Sequence, residues 1–203
     1  MTFAAPPIPR MKAEDRRELV LAAATQVFGD FGYWGATTDQ VARAAGVSQP
    51  YVVRMFGTKE ALFLEVLQRA LDHLLGEFRR VLAAGREELG PRLGRAYIEL
   101  VGDRGIHLVL MHAFGMGSDP VIGARARQGF LEVYEFLRDE AGFGPEQAQS
   151  FLASGMLINT MVGLRMSDEF ESNPMAAECL IVALPEKLDI VLDLGKAQRA
   201  EAR

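Results

Sequence analysis

The chain has 203 residues, of which 49% are hydrophobic and 24% charged, with a formal net charge of −5 at pH 7; that is enough apolar surface for a sizeable core in one or two domains. The single cysteine, Cys179, excludes an internal disulfide and a multi-cysteine zinc site. No run reaches the ~18 apolar residues of a membrane span, and the N-terminus lacks the apolar core of a signal peptide, so a cytoplasmic protein is expected.

The periodicity is helical nearly everywhere, and the fold is expected to be all-α. Met1 to Lys12 carries three prolines and the basic pair Arg10 and Lys12. It reads either as a frayed terminus or as an arm for a DNA minor groove. A first helix is expected over Glu14 to Phe31, with Leu19, Ala23, Val27 and Phe28 on one side and Arg16 and Arg17 near its start. Gly32 and Gly35 break it. Tyr33 and Trp34, in the connection, fit core packing under this helix or stacking on bases.

From Thr37 to Leu62 the chain reads TTDQVARAAGVSQPYVVRMFGTKEAL. Thr37 and Gln40 have the spacing of a reciprocal capping box. Val41, Ala42 and Ala45 share one helical face, and Gly46 stands where a left-handed C-terminal residue is wanted. Ser48 is expected to cap a second helix, with Pro50 in its first turn. Val52, Met55 and Phe56 would face back onto the first helix across a near-perpendicular crossing that requires a small Ala42. Gln49, Tyr51, Arg54 and Val53 are left outward. This is the pattern of a helix-turn-helix whose second helix enters the major groove; its alternative is an ordinary helix hairpin in an all-α core.

Thr58 caps a long helix running to about Arg80, with Leu62, Phe63, Val66, Leu67, Ala70, Leu71, Leu74, Leu75 and Phe78 in a stripe wider than a three-helix domain needs. Lys59 in its first turn opposes the helix dipole, which a phosphate partner would explain. Through Arg80 there are ten Lys or Arg against nine Asp or Glu, leaving 12 against 18 beyond it, so the acidity lies away from the motif.

The stretch from about Glu14 to Leu67 resembles the DNA-binding domain of the TetR-type repressor family. The match rests on Ala22, Ala23, Phe28, Gly32, Tyr33, Thr37, Ala42, Ala45 to Ser48, Phe56, Lys59 and Leu62. Val53 and Met55 stand where the family commonly has rings, while Tyr51 supplies one two positions earlier. The resemblance implies a dimer that binds a DNA operator, a second domain that binds small effectors, and a long helix linking the two.

Residues 1–12 are then an arm, 13–80 the DNA-binding domain with its linker helix, and 81–203 a helical effector and dimerisation domain. Past a glycine-bounded hinge at Ala83 to Gly90, helices are expected at Arg92 to Val101, Ile106 to Phe114, Pro120 to Glu140, Pro145 to Met166 and Pro174 to Leu194. Pro185 kinks or splits the last. Cys179, in an apolar run, is expected to be a small buried hydrophobe.

The search for catalytic motifs is negative. Gly115-Met116-Gly117 lacks a third glycine, Gly57-Thr58-Lys59 lacks the upstream glycine of a phosphate loop, and neither G-x-S-x-G nor H-E-x-x-H occurs. His107 and His112 are on different helical faces, and His73 is expected at the surface. No enzyme, cofactor or metal is called for. Met111, His112, Phe114, Phe130, Tyr134, Met156 and Asn159, with Met116, Phe151, Met161 and Met166, have the composition of an adaptable pocket or of a methionine-filled core.

Gly155, Asn159 and Gly163 form a close-approach stripe. With Ile181, Val182, Leu184, Leu188, Val191 and Leu192, they suit a four-helix dimer interface or burial within one subunit.

The expected function is a ligand-responsive repressor that binds a palindromic operator as a homodimer. Gln49 and Tyr51 would meet the bases and Thr37, Thr38, Arg43, Arg54 and Lys59 the phosphates, with Pro50 also at the DNA-binding face. A constitutive DNA-binding protein and an enzyme using the helical pocket are the alternatives.

Overall fold

The computed structural model describes residues 12–101, 104–184 and 187–201. Its first helix, α1 (Ala13–Gly35), is interrupted at Gly32, where φ is +65°, a conformation that favours glycine. The interruption turns Tyr33 inward onto Phe63 at 5.3 Å between ring centroids and leaves Trp34 78% exposed. Trp34 therefore does not pack under α1, and Leu19, expected on the buried side, is exposed while Val20 and Leu21 are buried.

α2 (Thr38–Ala44), α3 (Gln49–Phe56) and α4 (Lys59–Ala83) follow as expected. The apolar stripe of α4 serves two cores in turn. Leu62 to Leu71 belong to a cluster with α1, α2 and α3. Leu74, Leu75, Phe78 and Val81 belong to a second cluster with α5 (Leu89–Val101) and the end of α7 (Ile122–Glu135). The first core also takes in Val109, Leu110 and Ala113 of α6 (Arg104–Gly115) and Ile122 and Ala126 of α7, so the helix-turn-helix rests directly on the second half of the chain.

The turn after α4 is pinned rather than loose. Arg92 donates to the carbonyls of Val81 and Gly85, each at 2.9 Å, satisfying groups that a helix end leaves bare.

Several boundaries differ from expectation. α7 begins at Ile122, not Pro120, because Asp119 accepts from the N–H groups of Val121 and Ile122 at 2.9 and 2.7 Å. α7 passes through a π-helical turn, Phe136–Glu140. α8 (Pro145–Gly163) stops short of Met166, and a 3₁₀ turn, Met166–Glu169, follows Arg165 at φ 55°.

The expected last helix is two, α9 (Pro174–Ala183), capped by Asn173, and α10 (Leu188–Glu201). Pro185 lies outside the described residues, as does Arg10. Ala176 and Leu180 face inward on α9, which leaves Cys179 exposed and not buried as expected. Among the described residues no helix is long and apolar enough to cross a membrane.

Candidate nucleic-acid interface and inner cavity

The helix-turn-helix is built by local hydrogen bonds and a small-residue corner. Thr37 Oγ1 accepts from the Gln40 N–H at 3.2 Å, and the Thr37 N–H donates to Gln40 Oε1 at 2.8 Å. Gly46, at φ +64°, reverses the chain, and the Val47 N–H closes on the Ala42 carbonyl at 2.9 Å. Val41, Ala42, Ala45 and Val52 are buried in the corner. Ser48 occupies the cap position of α3 but its side chain makes no capping bond, unlike Thr58, whose Oγ1 accepts from the Ala61 N–H at 3.0 Å.

The outward row is tied together before any partner arrives. Gln49 Nε2 donates to Thr38 Oγ1 at 3.2 Å. The guanidiniums of Arg54 and Arg16 lie 5.3 and 5.7 Å from the centroid of the Tyr51 ring, in cation–π range. Arg16, from α1, thus joins a cluster that the reading of α3 alone did not contain. Pro50, Arg54, Thr37 and Arg43 are exposed, and Thr38, Gln49 and Tyr51 half-exposed. Arg43 is bridged to Asp39 at 2.7 Å.

Lys59 is bonded within the chain. Its ammonium donates to the carbonyls of Tyr33 and Ala36 at 2.9 and 3.1 Å and sits 4.5 Å from the Tyr33 ring centroid. Two of its three donors are thereby used on the broken end of α1, which accounts for a lysine tolerated at a helix start. Arg17, half-buried, is likewise engaged within the chain, paired with Glu65 at 2.7 Å and stacked on Phe56 at 4.7 Å.

At the far end of α4, an inner cavity of about 50 Å³ lies between α4, α5, α6, α7 and α8. Of the expected pocket residues, Phe114, Phe130, Met156 and Asn159 line it, and Met111, His112 and Tyr134 do not. His112 faces the other way, with Nε2 3.1 Å from the Gly29 carbonyl of α1, and Tyr134 packs on the second core.

Tyr97 was missed. Its hydroxyl donates to Asn159 Oδ1 at 2.7 Å, and this pair is the polar feature of an otherwise apolar wall. Burial raises the Tyr97 pKa to about 12, against a smaller lowering by the Asn159 bond, so the hydroxyl stays a neutral donor. The signal available in the sequence was a tyrosine in an otherwise amphipathic helix, which carries no pointer to Asn159.

The Gly155–Gly163 stripe is met from within the chain. A methyl on Gly155 would stand 3.5 Å from Tyr97 Cε1, and one on Gly163 3.8 Å from His107 Cε1. Of the expected interface residues, Leu184 and Val191 are buried in a third cluster with Ile98, Ile158, Met161 and Leu180, while Ile181 and Val182 are exposed.

Residues 20–66 match the family described as bacterial regulatory proteins, tetR family. The chain is similar to the transcriptional activator FasR of Mycolicibacterium smegmatis, 42% identical over 73 residues, which cover 36% of this chain and 33% of that one. It is also similar to the uncharacterized regulator YhgD of Bacillus subtilis, 40% identical over 124 residues, covering 60% and 62%. The match with FasR thus spans about a third of that relative's length.

Among solved structures, a TetR-like transcriptional regulator from Rhodococcus sp. RHA1 aligns over 94% of this chain and 99% of its own, with a TM-score of 0.64 at 18% identity. Such low identity speaks for the fold alone, while the helix-turn-helix carries the family's sequence. Residues 20–66 are thus a tetR-family helix-turn-helix segment, and the chain, all-α throughout its described residues, has the fold of TetR-like regulators, with its N-terminal helix bundle joined by one long helix to a helical second half.

Proposed function

We propose that the chain is an effector-responsive transcriptional repressor that binds a palindromic operator as a homodimer. In this reading residues 13–80 hold the DNA-binding domain and its linker, 81–203 the effector and dimerisation domain, and 1–12 an arm. The observation that carries it is the arrangement of α4, whose first half holds the outward row of α3 in place and whose second half walls the inner cavity. Filling that cavity against α4, α6 and α7 acts on helices that also pack in the first core. An effector with higher affinity for one orientation of the recognition helices shifts the population toward it.

Gln49, Pro50 and Tyr51 are assigned to base edges. Thr37, Thr38, Arg43 and Arg54 are assigned to phosphates, together with Arg16 from the Tyr51 cluster. Lys59 has one donor left for a phosphate. Within the cavity, Phe114, Phe130, Met156 and the Tyr97–Asn159 pair are assigned to the effector.

Dimerisation is supported by exposed apolar side chains just past the end of α8 and on α9, where Leu164 is 69% and Val182 74% exposed. One eight-residue recognition helix also reads too few bases to define an operator alone.

The test is selection of bound fragments from a random DNA pool, followed by titration of the winner in salt. With three or four phosphate contacts per subunit, affinity should fall roughly 10³- to 10⁵-fold between about 50 and 200 mM salt. The selected site should be two inverted half-sites about 34–36 Å apart. No enrichment, or a flat salt response, defeats the reading.

A further inference from the structure

Among its described lining residues the inner cavity has no charged side chain, and its wall is apolar apart from Tyr97 and Asn159. A carboxylate or an ammonium drawn into it would lose its hydration with no counter-charge to replace it. That restricts an occupant to uncharged molecules.

The same wall sets where an occupant's polar atom lies. Asn159 is 2% exposed, and its amide has one acceptor oxygen and two N–H donors. The oxygen is engaged, since Oδ1 accepts from the Tyr97 hydroxyl at 2.7 Å. The donors are poorly used: among the described residues Nδ2 meets the thioether of Met156 at 3.8 Å, and a thioether sulfur is a weak acceptor. Tyr97 and Met156 both line the cavity, so the amide stands in the wall between them with a donor to spare. A buried N–H without a good acceptor is costly, and one oxygen on a ligand relieves that cost.

Size narrows the class further. At about 50 Å³ the cavity is smaller than the roughly 150 Å³ that accepts a benzene ring, so even a single-ring occupant needs a wall that gives. Phe130 supplies one. Its ring is 37% exposed and edge-on to Phe114 with the centroids 6.0 Å apart. Both rings also line a groove of about 310 Å³ beside α7, which leaves Phe130 room to move away from the cavity.

We propose that the inner cavity takes a compact, uncharged ligand with one acceptor oxygen, of the ketone, ester or lactone class, bonded to Asn159 Nδ2 while Tyr97 holds the amide in that orientation. The inference rests on the effector reading above and names the class of molecule that reading requires.

The experiment titrates the full chain with four probes built on one six-membered ring: cyclohexanone, methylenecyclohexane, cyclohexanecarboxylate and cyclohexylammonium. Binding is read from the methyl resonance of Met156, assigned with Met156→Leu, and release of the selected operator is followed in parallel. The two uncharged probes should bind, and the two ions about tenfold more weakly or worse. Asn159→Leu should weaken cyclohexanone about tenfold relative to methylenecyclohexane, as loss of one hydrogen-bonding partner does. Tyr97→Phe keeps the ring, removes the hydroxyl that orients the amide, and should move the same ratio in the same direction. Thermal melts identify a variant that fails to fold, and the ratio of two probes on one variant cancels general changes in the cavity.

Ions that bind as well as cyclohexanone overturn the assignment, as does a ratio of the two uncharged probes that neither substitution changes. Failure of all four probes to move the Met156 resonance overturns it too. A ratio that depends on Asn159 supports the site whether or not DNA is released, and failure of release then counts against the effector reading alone.

Discussion

At the scale of single residues, what separates Gln49 from Lys59 is how much of each is committed inside the protein. Lys59 bonds two carbonyls at the broken end of α1, so Lys59→Ala should lower stability by about 2 kcal/mol, the order expected for charged hydrogen bonds that are only partly buried. Denaturant unfolding measures this, and an unchanged midpoint would mean the two bonds contribute nothing. Gln49→Ala removes one side chain from the outer row and should leave the midpoint in place while relaxing sequence preference at one base position. Its counterpart Arg16→Ala should weaken operator and random DNA alike and reduce the salt slope by about one per subunit, roughly two for the dimer.

Tyr97 gives a pH signature. Because burial raises its pKa from 10.0 to about 12, the folded state holds that proton more tightly than the unfolded chain. The associated stability is complete below about pH 10 and is lost as pH rises toward 12; ultraviolet difference absorbance should show Tyr97→Phe removing the last-titrating ring. The capping box, Ala42 and Gly46 were legible in the sequence because each acts on neighbours within a few positions. The exposure of Trp34 and Cys179 and the internal bonds of Lys59 were not, since each depends on where a distant segment or a single positive φ sends the chain.

At the scale of elements, the joint between α1 and α6 connects the two halves of the molecule. A methyl on Gly29 would come within 3.1 Å of the Gly105 Cα and 3.3 Å of its carbonyl oxygen, both backbone atoms. The two helices come close main chain to main chain there, and three residues along α1 a methyl on Gly32 would stand 3.4 Å from the His112 ring. Gly29→Leu cannot be absorbed by a rotamer change and should cost about 1–3 kcal/mol, the usual price of overpacking, offset in part by the better helix propensity of leucine.

If α6 carries the state of the cavity to α1, the same substitution should also alter operator affinity without touching the recognition face. Operator binding measured on the folded fraction tests this, and wild-type affinity would place the coupling elsewhere. Helix existence was legible throughout because apolar spacing repeats over three or more turns, as in α4. Helix ends were less so: Asp119, not Pro120, sets the start of α7, and a side chain that can cap is not distinguishable in sequence from one that does, as Ser48 illustrates.

At the scale of the whole molecule, the acidic excess and the exposed apolar residues of the last helices both fall in the second half. Through Arg80 the balance is ten basic against nine acidic residues, and beyond it 12 against 18, which keeps the second half off the phosphate backbone. What the sequence could not divide was the set of apolar residues in the last two helices. Leu184 and Val191 close a core within the chain, whereas Leu164 and Val182 are left on the surface, and helical spacing alone does not say which neighbour a face will meet. A surface set of this kind is expected to be covered.

The double variant Leu164→Glu, Val182→Glu introduces four like charges across a two-fold interface and should give a monomer by sedimentation with its thermal melt little changed, because neither side chain is in a core. Each monomer keeps its own phosphate contacts, so the salt slope for DNA should fall to about half while operator preference collapses toward nonspecific binding. A variant that remains dimeric with an intact slope would place the subunit contact on another face. A monomer that still selects the full palindrome would mean that one α3 row reads more of the site than two-fold pairing requires.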